Sequence, residues 1–116
     1  MSDSMRVGVV GSRSLAIDDL GKYLPPETSL IVTGGAKGID TCAEEYALKN
    51  KIKLSQFKPQ YDIFKRAAPL KRNMIIIQNS DLVLAFWNGK SAGTKHVIDT
   101  CKKMNVPVEV IMMTEN

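Results

Sequence analysis

The sequence predicts an α/β protein with one doubly wound parallel sheet of about five strands and helices on both faces. Apolar runs typical of buried strands alternate along the chain with amphipathic stretches of helical period. Three glycine-bearing turns each follow an apolar run: G-S-R-S, T-G-G-A-K-G-I-D and N-G-K-S-A-G-T. Regular alternation of strand and helix favours parallel strands joined by crossover helices. The 116 residues fit one domain, which we expect to span 1–116.

The first half of the chain is predicted to hold three strands, at 5–10, 29–33 and 52–57. Ile17, Leu20 and Leu24 recur at helical spacing and predict an amphipathic helix that ends at the Pro25-Pro26 pair. A second helix is predicted after the Gly34–Gly38 loop, with Asp40 on its outer side. Its apolar stripe comprises Ile39, Cys42, Ala43, Tyr46 and Ala47.

The second half is predicted to begin with a short helical turn near 61–66, then a helix from Pro69 to about Asn79. Leu70, Met74 and Ile77 are expected to face the core. Further strands are predicted at 82–86 and 106–112. The helix between them, at 94–104, is expected to bury Val97, Ile98 and Cys101.

The apolar patterns also predict the order of the strands. The first, second and fourth are almost continuously apolar, as central strands are, whereas the third and fifth include polar residues, as edge strands do. Right-handed crossovers then favour the order 3-2-1-4-5. In such a sheet, ligands bind where the connections reverse direction, beyond the carboxyl ends of the strands. The three glycine turns are therefore expected to meet in one crevice.

These turns predict an anion site, because glycine permits close backbone approach and helix N-termini offer N–H groups to phosphate. Arg13 adds a cationic fork, and Asp40 either favours the helix dipole or accepts from a ribose hydroxyl. Arg72 and Asn73 either reach the crevice or cap a helix, and Trp87 either stacks on a base or covers the core. The candidate binding residues are Gly11, Ser12, Arg13, Gly34, Gly35, Lys37, Gly38, Asp40, Arg72, Asn73, Trp87, Ser91, Gly93 and Thr94.

The spacing shows no arrangement typical of a hydrolytic triad, a carboxylate pair or a zinc site. Any chemistry would come from Asp40, Glu44, His96 or Asp99, with Asp40 and Glu44 as the catalytic candidates. The single histidine more often caps a helix at such a position than catalyses. Cys42 and Cys101 are expected to be buried thiols. We expect neither a metal nor a cofactor.

Charge and composition narrow the class of protein. The net charge of +4 is concentrated at 58–73, where five cations face one acid, so this segment either meets phosphates or forms a solvated face. The 44% apolar content is ordinary, and no apolar run could span a bilayer. Met1 to Ser4 lead directly into a strand without a secretory signal. We therefore expect a soluble, cytoplasmic protein that does not bind membranes.

Several segments, in order, resemble the SLOG superfamily of Rossmann-like proteins. They are V-G-V-V-G-S-R, T-G-G-A-K-G-I-D-T-C-A-E-E-Y-A-L, F-x(7)-R-N, S-D-L-V-L-A-F-W and G-K-S-A-G-T, and together they cover nearly the whole chain. The superfamily includes the DNA-processing protein DprA, the LOG phosphoribohydrolases and small stand-alone YspA-like proteins. The size and the Trp87–Thr94 motif resemble the YspA-like group most.

The resemblance implies a nucleotide or nucleotide-derived phosphate ligand, held by a sensor or binding module at most of the candidate positions. Two alternatives remain: a phosphoribohydrolase that cleaves base from ribose phosphate, and DprA-like binding of single-stranded DNA. LOG enzymes carry glutamates soon after their G-T motif, whereas Lys95, His96 and Val97 follow Thr94 here. DprA-type proteins normally carry extra domains, which we do not expect in this chain. Related proteins often pair, so a homodimer is also plausible.

Overall fold

A computed structural model describes residues 4–35 and 37–114 of the chain. Its single sheet has five parallel strands in the order β3-β2-β1-β4-β5, which confirms the predicted fold and strand order. The expectations for Met1–Asp3 and for Ala36 of the second glycine loop lie outside the described residues. The strands are β1 Met5–Gly11, β2 Thr28–Thr33, β3 Lys53–Gln56, β4 Leu82–Trp87 and β5 Val108–Met112.

Helices cover both faces of the sheet. They are α1 Ile39–Lys49, α2 Tyr61–Phe64, α3 Ala68–Gln78 and α4 Ala92–Met104, and a 3₁₀ turn at Lys65–Ala67 joins α2 to α3. One apolar cluster lies between α1 and the sheet and includes Val9 and Phe86. A second lies beneath α3 and α4 and includes Val10 and Ala85. Because successive strand side chains point to opposite faces, the apolar central strands supply both clusters.

The predicted helix at Ile17–Leu24 is wrong. The structure has only a 3₁₀ turn, Leu20–Lys22, in this stretch. The segment ends at two prolines and contains Gly21, so it is too short and too weak a helix former to be stable alone. Tertiary contacts determine its path instead: Leu20 is buried in the first cluster, and a side chain at Gly21 would meet the Tyr46 hydroxyl at 2.5 Å.

Three burial predictions also need correction. Leu70 is 46% exposed, because α3 turns Asn73 and Ile76 inward together with Ile77, which is buried as predicted. Asp40, predicted on the outer side of α1, is only 4% exposed. Cys42 is half-buried, while Cys101 is buried as expected, and both thiols are free.

Within residues 4–35 and 37–114, no helix combines the length and apolar character needed to cross a membrane. The connections of the sheet determine where a site can form. β1 and β4 are adjacent and parallel, yet the chain leaves them over opposite faces. The loops after Gly11 and Trp87 therefore flank a gap at the carboxyl end of the sheet, where ligands bind in open α/β proteins.

Candidate functional site

A cavity of about 440 Å³ lies beyond the carboxyl ends of β1 and β4. This volume is within the range of small-molecule sites. Its walls come from the loop after β1, the first turn of α1, the start of α3, and the loop and first turns leading into α4. The lining residues are Val10, Gly11, Ser12, Arg13, Ser14, Asp40, Pro69, Leu70, Arg72, Asn73, Ile76, Asn88, Ser91, Gly93, Thr94 and Val97.

Ser12 joins the loops that follow β1 and β4. Its backbone N–H donates to the Phe86 carbonyl at 3.0 Å, and its hydroxyl accepts from the backbone N–H of Asn88 at 3.2 Å. The Asn88 side chain donates to the Ser14 hydroxyl at 3.3 Å. Ser12 is 1% exposed, so these bonds are shielded from competing water. The two loops consequently form one continuous wall of the cavity.

The second glycine loop supports this wall from behind. Gly38 has a φ of +77°, and a side chain there would lie 2.6 Å from the Arg13 carbonyl oxygen and 2.9 Å from that of Ser12. Only glycine permits both this backbone conformation and such close approach. Gly34, Gly35, Lys37 and Gly38 were all predicted to contact the ligand, but none of them lines the cavity.

The loop into α4 is organised by its own side chains. The Asn88 amide oxygen accepts from the backbone N–H groups of Lys90 and Ser91, both at 2.9 Å. Ser91 caps α4, its hydroxyl accepting from the Thr94 N–H at 3.3 Å. A side chain at Gly93 would meet no atom within 4 Å, which leaves the first turn of α4 open. This helix end therefore directs its dipole at the cavity.

Trp87 belongs to the support of this loop. Its indole N–H donates to the Ser91 carbonyl at 3.0 Å, and its ring packs against the second apolar cluster. It does not line the cavity. Of the two roles considered for this residue, the structure favours covering the core over stacking on a base.

Asp40, Arg72 and Asn73 form the back wall. The buried Asp40 carboxylate accepts from the Gly34 N–H at 2.9 Å. Arg72 donates through Nη1 to the Gly34 carbonyl at 2.9 Å and through Nε to the Asn73 amide oxygen at 3.0 Å. Burial lowers the pKa of Arg72, and the negative charge of Asp40 opposes this effect. The backbone of Gly34 thus bridges a buried carboxylate and a half-buried guanidinium.

The charged side chains of the walls are Arg13, Arg72 and Asp40. Within the described part of the chain, salt bridges occur at Arg6–Asp81 and Lys95–Asp99, and neither includes a cavity arginine. Two guanidinium groups therefore face one carboxylate, and this carboxylate already accepts from a backbone N–H. The balance favours an anionic ligand.

Apolar residues also line the cavity, and sequence reasoning missed them as part of the site. They are Val10, Pro69, Leu70, Ile76 and Val97. Leu70 was assigned to the core because its helical spacing with Met74 matched an inward face. Ser14 and Asn88 were also missed, although both lie in glycine turns that the sequence singled out. A mixed wall of this kind suits a ligand with one apolar and one charged part.

The remaining chemical candidates lie away from the cavity walls. The Glu44 carboxylate accepts from the Gln56 side chain at 2.8 Å, and Asp99 pairs with Lys95 on the exposed face of α4. His96 is on α4 and contacts Asn73 of α3. Among the residues described, no three His, Cys, Asp or Glu side chains are grouped so that they could bind a metal ion. The cations at 58, 65, 66 and 71 are all exposed.

The fold and the cavity place this chain in the class of Rossmann-like α/β proteins. Among curated proteins, it is similar to the Gene 61 protein of Mycobacterium phage D29, with 28% identity over 89 residues. The match covers 72% of this chain and 71% of the phage protein. No protein-family model and no solved structure matches the chain.

Proposed function

We propose that this protein binds a nucleotide or nucleotide-derived phosphate in the cavity, as a sensor or binding module. One observation carries the proposal: two arginines and the N-terminus of α4 meet in one cavity at the switch point of a parallel sheet. Helix N-termini and guanidinium groups are both suited to phosphate oxygens. The phosphate would lie between Arg13 and the Ser91–Thr94 turn.

The apolar part of the cavity lining suits the rest of such a ligand. Pro69 and Leu70 offer an apolar surface against which a planar base can pack, since Leu70 remains 46% exposed. The proposed orientation therefore directs the base towards α3 and the phosphate towards α4.

The hydrogen bonds made by the carboxylates of Asp40 and Glu44 favour ligand binding over hydrolysis as the function. A general acid must hold a proton that it can transfer to the leaving group. Asp40 accepts from the Gly34 N–H and lies near Arg72, so its carboxylate has a structural role in holding the second glycine loop. Glu44 is hydrogen-bonded to Gln56 outside the cavity.

Isothermal titration of the purified protein with nucleoside monophosphates, ADP-ribose and inorganic phosphate tests the proposal. We expect at least one nucleotide to bind, and Arg72→Gln to weaken its affinity by about tenfold to a hundredfold, the usual cost of a charge-assisted hydrogen bond. Arg66→Gln is the matched control, because it removes the same charge from an exposed position outside the cavity. Arg13→Gln is a second test at an exposed wall residue, where the fold is not at risk.

Circular dichroism of each variant separates lost binding from lost structure. Absence of heat from every nucleotide, or equal affinities for Arg13→Gln, Arg72→Gln and Arg66→Gln, contradicts the proposal. Release of free base over time would identify the phosphoribohydrolase instead. Binding confined to single-stranded oligonucleotides, with a steep salt dependence, would assign the function to the exposed cations of 58–71.

A further inference from the structure

We propose that His96 is a positioning residue that fixes Arg72 through Asn73, and that protonation of His96 weakens anion binding in the cavity. The link to ligand affinity rests on the proposed function, whereas the hydrogen-bond relay itself does not. The relay runs from Thr100 through His96 and Asn73 to Arg72. His96 does not line the cavity, but it is one hydrogen bond from Asn73 and two from Arg72, which both do.

The direction of each hydrogen bond follows from Arg72. A guanidinium can only donate, so the Asn73 atom 3.0 Å from Arg72 Nε must be the amide oxygen. The other end of this amide is then the NH₂ group, which lies 3.4 Å from His96 Nδ1. An NH₂ group can only donate, so Nδ1 must accept and carry no proton. The proton of neutral His96 is therefore on Nε2, where it can be donated to the Thr100 hydroxyl, 3.4 Å away.

Protonation of His96 makes this arrangement impossible. In the imidazolium both ring nitrogens are donors, so Nδ1–H would face the NH₂ group of Asn73. Rotating the amide would restore a bond to His96, but would turn the NH₂ group towards Arg72 Nε–H. Either way one bond of the relay is lost. Asn73 is 6% exposed, so water has little access to replace it.

Among the residues described, no hydrogen bond or salt bridge joins another charged group to His96. From α3, Asn73 faces it, and Arg72 acts through Asn73. On α4 itself, Lys95 and Asp99 bind each other at 2.8 Å in solvent. The strands β1 and β4 contribute apolar residues to the second apolar cluster, which lies beneath α3 and α4. Arg6 of β1 pairs with Asp81. Glu109 of β5 pairs in register with Leu84, whose side chain belongs to the opposite face.

The sequence contains one histidine, so NMR can observe this ring without ambiguity. On the protein without ligand, we expect ¹⁵N shifts at pH 7.5 typical of the Nε2–H tautomer. When the pH is lowered from 8 to 5, the Nε–H resonance of Arg72, assigned with an Arg72→Lys variant, should shift with the same midpoint as the His96 ring resonances. An Nδ1–H tautomer, or an Arg72 resonance that does not respond, overturns the relay whether or not any nucleotide binds.

The effect on affinity is measured with the nucleoside monophosphate that binds best, at pH 7.5 and 5.5. His96→Gln is the matched control, because its amide oxygen can accept from Asn73 and does not titrate in this range. A phosphate itself gains a proton near pH 6, which affects both proteins alike. We expect wild type to lose about fivefold more affinity than His96→Gln, the usual effect of one neutral hydrogen bond. Equal losses contradict the coupling, and a wild type that binds no nucleotide at either pH contradicts the proposed function alone.

Discussion

Asp40 and Thr33 show, at the scale of single residues, how burial makes a polar group depend on its partners. Asp40 is 4% exposed and accepts from the Gly34 N–H. Thr33 is fully buried at the end of β2, and among the described residues its hydroxyl has no hydrogen-bond partner. A buried hydroxyl without a partner loses its bonds to water and gains nothing in return.

Replacing Thr33 by valine should therefore raise the free energy of unfolding by about 1 kcal/mol, since the unpartnered hydroxyl becomes a methyl group of similar size. Urea unfolding followed by circular dichroism measures the change. Thr28→Val is the matched control at the other end of the same strand, where the hydroxyl donates to the Pro25 carbonyl at 2.7 Å. We expect Thr28→Val to lower the free energy of unfolding by about 1 kcal/mol, because it removes this hydrogen bond. A Thr33→Val variant as destabilised as Thr28→Val would show that the Thr33 hydroxyl is satisfied in solution.

At the scale of elements, the glycine turns have different roles although they look alike in sequence. The turns after β1 and β4 line the cavity, whereas the turn before α1 packs behind them. Gly38 is confined by backbone oxygens, while Gly93 has open space around it. The same substitution should therefore have opposite effects at the two positions.

We expect Gly38→Ala to lower the free energy of unfolding by at least about 2 kcal/mol, because alanine is strained at positive φ and its Cβ would collide with the Ser12–Arg13 turn. Gly93→Ala should raise it by about 0.5 to 1 kcal/mol, because alanine favours the helix and its Cβ meets no neighbour. Both values come from denaturant unfolding of the two variants in parallel. Comparable stability of the two variants would mean that the second loop does not pack against the first.

At the scale of the whole molecule, the same central strands contribute side chains to both apolar clusters. Unfolding one face of the sheet would therefore also expose apolar residues of the other face. Cys101 lies in the second cluster and is 0% exposed. Burial raises the pKa of its thiol to about 11. Because the thiolate is the reactive form, native Cys101 should be protected both by inaccessibility and by protonation at pH 8.

This protection makes Cys101 a probe of global opening. In a Cys42→Ser variant, which leaves one thiol, we expect a thiol reagent at pH 8 to label Cys101 only through unfolding. The labelling rate should then rise with urea in proportion to the unfolded fraction measured by Trp87 fluorescence. The complementary Cys101→Ala variant reports on the half-buried Cys42. Labelling of Cys101 at a rate independent of urea would contradict cooperative unfolding of the two clusters.

Much of the fold was predictable because the periodicity of apolar residues reports local structure and average burial. The nearly continuous apolar character of β1, β2 and β4 predicted a central position for each, and β3 and β5 lie at the edges as expected. The segment at 17–24 gave a wrong prediction because its apolar spacing suits a helix. The two prolines that follow it and Gly21 within it make a helix there unstable. There, packing of Leu20 beneath α1 outweighed the local pattern.

The sequence alone determined the strand order, because hydrophobic burial and crossover handedness constrain it strongly, and two of the three glycine turns that it placed in the crevice line the cavity. Only the tertiary structure decided which residues line the cavity. It buried Asp40 and exposed Leu70, and it placed Gly38 behind the wall instead of on it. The physical reason is that such positions depend on contacts between chain segments distant in sequence, which local periodicity does not encode.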